Sequence, residues 1–201
     1  PQHAGLLPPG FSAEHVGPND YYYWDNFWAI AGLHSASRLL ELVGDNEESK
    51  RCRDEAEGYM VCVDRSLTHT TYRMGTQAMP ASPYRRLDSG SVGSLAAGYP
   101  LQLWPHDDPR LVKIATYLVD NCTVDQALFH DISHSGVNPY LTLHIAQVLL
   151  RAGDPRYLPL MSRIAELASP TGQWPEAIYP KLFTGCMGDG QHVWAAAEWM
   201  M

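Results

Sequence analysis

The sequence predicts an all-α fold in which helical hairpins form part of an (α/α)6 toroid, with this chain supplying a little over three of the hairpins. Three observations carry that reading. Nearly uncharged helical segments alternate with amphipathic ones, short motifs recur at an offset of 46 residues, and strand signals are weak throughout.

Residues 1–20 are rich in Pro and Gly, lack periodicity, and read as an irregular arm ahead of a toroid domain over 21–201. From Tyr21 to Val43 the pattern is helical, with Trp24, Phe27, Trp28 and Ala31 on one stripe and Gly44 as the stop. A second helix from about Asp45 buries Ala56, Tyr59, Met60, Val63 and Leu67. Residues 70–87, with Gly75, Pro80 and Pro83, read as a loop. The segment from Ser91 to Trp104 has few charges on any face and is expected to be a helix buried all round.

Asp108-Pro109 supplies an N-cap and an N1 proline for an amphipathic helix carrying Leu111, Ile114, Ala115 and Leu118 on one face. Another nearly uncharged helix runs from Pro139 to Arg151, and Asp154-Pro155 opens an amphipathic one to about Ala168. After a loop from Ser169 to Gly190, a last helix holds Val193, Trp194, Ala196, Ala197 and Trp199. Ser89-Gly90 recurs as Ser135-Gly136, and Asp108-Pro109-Arg110 as Asp154-Pro155-Arg156, both at a shift of 46. Each repeat is thus one buried inner helix and one half-exposed outer helix. Inner helices without charge favour a closed ring over an open solenoid. Six such hairpins need about twice this length, so the ring is either incomplete or finished by missing sequence or another chain. Pro1 in place of Met, and an uncapped helical pattern at Met201, lead to the same expectation of a longer protein.

The net charge of −8 argues against nucleic acid and against anionic membranes as partners. It does not discriminate against a neutral sugar. Cys52, Cys62, Cys122 and Cys186 form no C-x-x-C pair and no zinc spacing. They are expected to be mostly buried free thiols in the cytoplasm, with one disulfide as the alternative. No signal peptide or membrane-spanning run is seen. No nucleotide fingerprint is present and no cofactor is expected.

In a ring, the loops leading into the inner helices gather at one end of a central funnel. Those loops hold the notable polar and aromatic groups: residues 21–26, 85–90, 130–138, 173–179 and 188–192. His130, Asp131 and His134 have a spacing that invites a metal, but Gly136 and Pro139 make the segment a loop, so no metal site is expected.

The stretches YYYWDNFWAIAGL (21–33) and TGQWPEAIYP with GDGQHVWAAAEW (171–199) resemble the six-hairpin glycosidase superfamily. Within it the nearest likeness is to bacterial amylo-α-1,6-glucosidase or glycogen-debranching-type C-terminal domains. The resemblance implies an acidic catalytic residue before the last inner helix, matched by Glu176 in Trp174-Pro175-Glu176, and an aspartate at the start of an early inner helix, matched by Asp25. Asp189 is the third candidate acid. Tyr23, Trp24, Trp174 and Tyr179 are candidates for stacking on sugar rings, and His192, Asp88 and His134 for further substrate contacts. The plainer reading of the three acids is helix capping or bracing of loops, and of the aromatics, toroid core.

The expected activity is glycoside hydrolysis, in which two carboxylates flank the scissile bond, about 5–5.5 Å apart for retention and about 6.5–9.5 Å for inversion. A helical-repeat interaction module, or a sugar isomerase, epimerase or lyase using His130, His134 and His192, are the rivals. Convergence of Asp25, Glu176 and Asp189 on one cavity walled by Trp24 and Trp174 is the geometric expectation.

Overall fold

The structure, a computed structural model, describes residues 3–12 and 15–201. Strands β1 (Gly10–Ser12) and β2 (His15–Asp20) pair antiparallel where composition predicted irregular chain; positions 1–2 and 13–14 of that arm lie outside the described residues. Helix α1 (Tyr23–Leu42) follows, and α2 (Asn46–Met74) returns along it. Asp45 caps α2 by accepting the Glu48 N–H, and Gly75, at φ 67°, ends it in the left-handed region that glycine tolerates best. The expected loop from residue 70 therefore begins only after Met74.

The segment expected to be an inner α-helix from Ser91 to Trp104 is a 3-10 helix, Ser89–Ala97, opened by a reciprocal capping box between Asp88 and Ser91. All nine of its residues are buried, as expected of an inner element. Its run of Gly and Ser has low α-helical propensity and allows the tighter winding.

Helix α3 (Pro109–Asn121) leads to a β3–β4 hairpin, Thr123–Val124 and Ala127–His130, whose turn residues Asp125 and Gln126 both have positive φ. Strand β5 (Gly136–Val137) and the buried helix α4 (Pro139–Arg151) come next, then α5 (Tyr157–Glu166). Strands β6 (Ala177–Tyr179) and β7 (Thr184–Met187) precede the last helix, α6 (Val193–Met200). About half of the described residues are helical, in seven helical elements counting the 3-10 helix. The near absence of strand does not hold. Strands β3 to β7 form a five-stranded antiparallel sheet in sequence order, built of segments too short to show a period in sequence.

The alternation of inner and outer elements is realised. In sequence order α1, the 3-10 helix, α4 and α6 pack side by side, while α2, α3 and α5 flank them. The 46-residue motif explains part of the spacing. Asp108 accepts the Arg110 N–H at 2.9 Å, and the Arg110 guanidinium reaches back to Asp64 on α2 at 2.7 Å. One repeat later Asp154 accepts the Arg156 N–H at 3.0 Å, and Arg156 reaches Thr116 on α3 at 2.9 Å. Each Arg thus ties its outer helix to the outer helix before; Asp108 caps α3 as expected, whereas Asp154 braces the turn ahead of α5, which begins only at Tyr157 and has no side-chain cap. The core between the layers contains Phe27, Leu67, Leu95, Leu118, Leu141 and Ile164, all at 0–2% exposure. Among the described residues no helix is long and apolar enough to cross a membrane.

Candidate active site

The five-stranded sheet joins the loop ahead of α4 to the loop ahead of α6 through the pairing of Val137 with Ile178. That pairing brings the 130–138 segment against Glu176. His134 Nε2 lies 2.9 Å from Glu176 Oε1, while the Asp189 N–H donates to Oε2 at 3.3 Å. The backbone around Glu176 is held as well: its N–H donates to Asp189 O at 2.8 Å, and the His192 N–H donates to Trp174 O at 2.8 Å. Gly188, at φ 70°, leaves the space the carboxyl occupies; a Cβ there would stand 2.5 Å from Glu176 Cδ and 2.7 Å from its Cβ.

Behind His134 stands a second imidazole. His130, 1% exposed at the end of β4, accepts the Ser133 N–H at its Nδ1, and this nitrogen is 3.3 Å from His134 Nδ1. Asn138 Nδ2 is 3.4 Å from the same His134 nitrogen. Two protonation states have distinct bond sets here. A neutral His134 donates from Nε2 to the carboxylate and accepts from Asn138 at Nδ1. An imidazolium donates from both nitrogens, to Glu176 and to His130. Side-chain exposures of 12% for His134 and 24% for Glu176 leave the carboxylate the more accessible member.

Glu176 and Asp189 are therefore brought together, though Asp189 contributes its backbone and its side chain is exposed. Asp25 is not joined to them by any contact among the described residues. It sits in the first turn of α1, where Ser12 donates to it, and burial raises its pKa. Tyr23 is wholly buried, its hydroxyl 2.9 Å from Ser66 Oγ and 3.1 Å from Thr70 Oγ1, and burial pushes its pKa up to about 12. Trp174 is 5% exposed and donates from its indole to Ile164 O at 2.7 Å. Both rings belong to the core and have no face to offer a sugar, which corrects their expected role.

Trp24 is half-buried against the exposed Trp28, with ring centroids 5.6 Å apart, and Tyr179 is exposed at the end of β6. His192 packs on Tyr140 at 4.9 Å, and no described partner meets its buried Nδ1. Asp88 caps the 3-10 helix and pairs with Arg85 at 3.0 Å. The four cysteines are free thiols, three half-buried and Cys186 exposed, so they are less buried than expected. No group of three or more His, Cys, Asp or Glu among the described residues is placed to hold a metal ion.

A second polar cluster escaped the sequence reading. Glu198 on α6, 9% exposed, binds His144 Nε2 of α4 at 3.0 Å and accepts from the Tyr99 hydroxyl at 3.0 Å and the Trp194 indole at 3.1 Å. Burial alone would raise its pKa, but the hydrogen bond and charge of His144, with the donors Trp194 and Tyr99, hold it below the ordinary carboxylate range. The available signal was one carboxylate in WAAAEW and one imidazole in YLTLHIAQVLL, each alone on an otherwise apolar helix.

No protein-family model matches the sequence, and neither does any curated protein. Solved structures do share its fold. A bacterial glucoamylase complexed with acarbose superposes with a TM-score of 0.65 at 14% identity, over 90% of this chain and 33% of that one. A wild-type glycosidase gives 0.58 at 17% identity, over 96% of this chain and 49% of that one. A variant glycosidase in complex with glucose gives 0.55 at 18% identity, over the same shares. The chain thus spans between a third and a half of the length of the structures it resembles.

Proposed function

We propose that this chain is part of an (α/α)6 toroid and serves a glycoside hydrolase acting on α-glucosides, with a debranching-type α-1,6 linkage as the finer reading. The observation that carries it is the clamp on Glu176. Both carboxyl oxygens are oriented, one by His134 and one by the Asp189 N–H, and Gly188 leaves the room that the carboxyl fills. A carboxylate fixed in this way serves as base toward water or as nucleophile toward the anomeric carbon. The complementary acid must keep its proton until the leaving oxygen takes it, and burial moves Asp25 in that direction. Asp25 stands in the first turn of the inner helix α1, and Glu176 lies in the loop region ahead of the inner helix α6, directly before β6, so a closed ring would bring both toward one end of its funnel. Trp24 and Tyr179 offer aromatic faces there. The remainder of the ring comes from further sequence or from a second copy of the chain.

The test is Glu176→Gln in the complete enzyme, which keeps shape and removes the charge. Release of glucose from maltose, isomaltose and panose is expected to fall about 10²-fold or more, with melting temperature little changed. Undiminished hydrolysis across the three sugars overturns the assignment. The His130–His134 pair favours a second reading, a sugar isomerase or epimerase using paired imidazoles as proton carriers. Solvent deuterium entering a recovered hexose, with no bond cleaved, would mark that chemistry.

A further inference from the structure

A cavity of about 360 Å3 lies between residues 86–89, the end of α3 and the β3–β4 hairpin. It shares a loop with the Glu176 group, since Asp131 on its wall is three residues from His134. Its walls combine the carboxylates of Asp88 and Asp131, the amide of Asn121, and the rings of Tyr117 and Phe129. Its size falls at the lower end of small-molecule sites, which run from about 300 to 1,000 Å3. We propose that this cavity binds one hexose unit of an α-glucan, away from the bond being cleaved.

The lining selects the ligand class. Asp88 accepts from the Gly90 N–H at 3.1 Å, from the Ser91 N–H of its capping box and from Arg85 at 3.0 Å, which leaves one of its four acceptor sites open. Asp131 accepts from the Ser89 hydroxyl and is exposed at the rim. Acceptors in excess call for a ligand rich in hydroxyl donors. The Tyr117 and Phe129 rings offer flat apolar surface for the C–H faces of a pyranose. An anionic ligand meets two carboxylates against the one lining guanidinium of Arg86, and an aliphatic one leaves the open acceptor sites desolvated. Among the described residues no group of three or more His, Cys, Asp or Glu is placed here for a divalent cation. The Tyr117 hydroxyl donates to Leu87 O at 3.0 Å and fixes the spacing of the two walls.

The proposal rests on the glycosidase reading only for the choice of an α-glucan, and Cys122 reports on it separately. This thiol lines the cavity, and burial, with the charges of Asp131 and Asp88, pushes its pKa up to about 11. Its alkylation by N-ethylmaleimide is followed by peptide mass spectrometry, with Cys52 on α2 as internal reference. Saturating maltotriose is expected to slow modification of Cys122 about tenfold while Cys52 changes by less than about twofold. Asp131→Asn should raise the half-protecting concentration about tenfold, as loss of a charge-assisted hydrogen bond does. Asn121→Ala is a second variant expected to weaken protection, and calorimetric titration of maltotriose gives a reading independent of thiol access. Protection of Cys122 by calcium chloride but not by maltotriose overturns the proposal. So does equal maltotriose affinity in the two variants and the parent, or no maltotriose binding. The Glu176→Gln protein keeps Cys122 protection if the cavity binds sugar, whatever becomes of hydrolysis, so the two readings fail separately.

Discussion

Replacing Glu198 by Ala removes the acceptor shared by three buried or half-buried donors. His144, Tyr99 and Trp194 all bind this one carboxylate at 3.0–3.1 Å, and His144 is itself 1% exposed. Each buried group left without its partner costs about 1–3 kcal/mol. Measured losses on removing one partner of a buried charged pair run about 3–5 kcal/mol, and that is the expected effect here. In a domain of this length each kcal/mol moves the melting temperature by about 2–4 °C, which gives a fall of roughly 10 °C. Glu198→Gln keeps an acceptor for His144 and Trp194 and should lose about 1–2 kcal/mol. The assay is a thermal melt by far-UV circular dichroism, checked by urea titration. A fall smaller than about 2 °C for Glu198→Ala would mean that α4 and α6 do not meet as described, and the packing of the last inner helix would have to be redrawn.

Gly188→Ala puts a methyl group within 3 Å of Glu176 carbons at a positive φ, so the carboxyl must leave His134 and the Asp189 N–H. The left-handed conformation itself costs about 1–2 kcal/mol. On the proposed glycosidase reading, hydrolysis should fall about as far as for Glu176→Gln, and an unchanged rate in Gly188→Ala would remove the clamp from that proposal. Acid should weaken the fold in a defined window. Glu198 is held low by His144 against its burial, Asp108 by Arg110 against its burial, and Asp154 by its Arg156 hydrogen bonds. Depressed folded-state pKa values mean that this stability is complete above the unfolded values and is lost as pH falls through the folded ones, so urea midpoints should decline below about pH 4. Asp108→Asn should flatten that decline, and an unchanged slope would show that the Asp-Pro-Arg motif carries no linkage.

The helical hairpins were legible in the sequence because their determinants are local. Asp108 caps α3 from two residues away, Gly75 ends α2 through its own backbone freedom, and an uncharged stretch such as 139–149 announces burial on nearly every face. Glu176 was singled out by its Trp-Pro-Glu setting, and the structure surrounds it with donors. The sheet was not legible. Its strands are two to four residues long, and Val137 finds Ile178 only because two repeats fold side by side. The same distance in sequence hid the partnership of His134 with Glu176 and of His144 with Glu198, at separations of 42 and 54 residues. It also misplaced Tyr23, at the start of α1, and Trp174, in the loop ahead of β6, since an aromatic residue beside an acid reads the same whether it faces a funnel or the core.

Pattern along the chain determined which segments wind into helices and which faces are apolar. Only tertiary packing decided which polar groups meet. Helix formation needs partners three or four residues away, whereas a catalytic pair needs two segments far apart in sequence brought within about 3 Å by everything that folds between them.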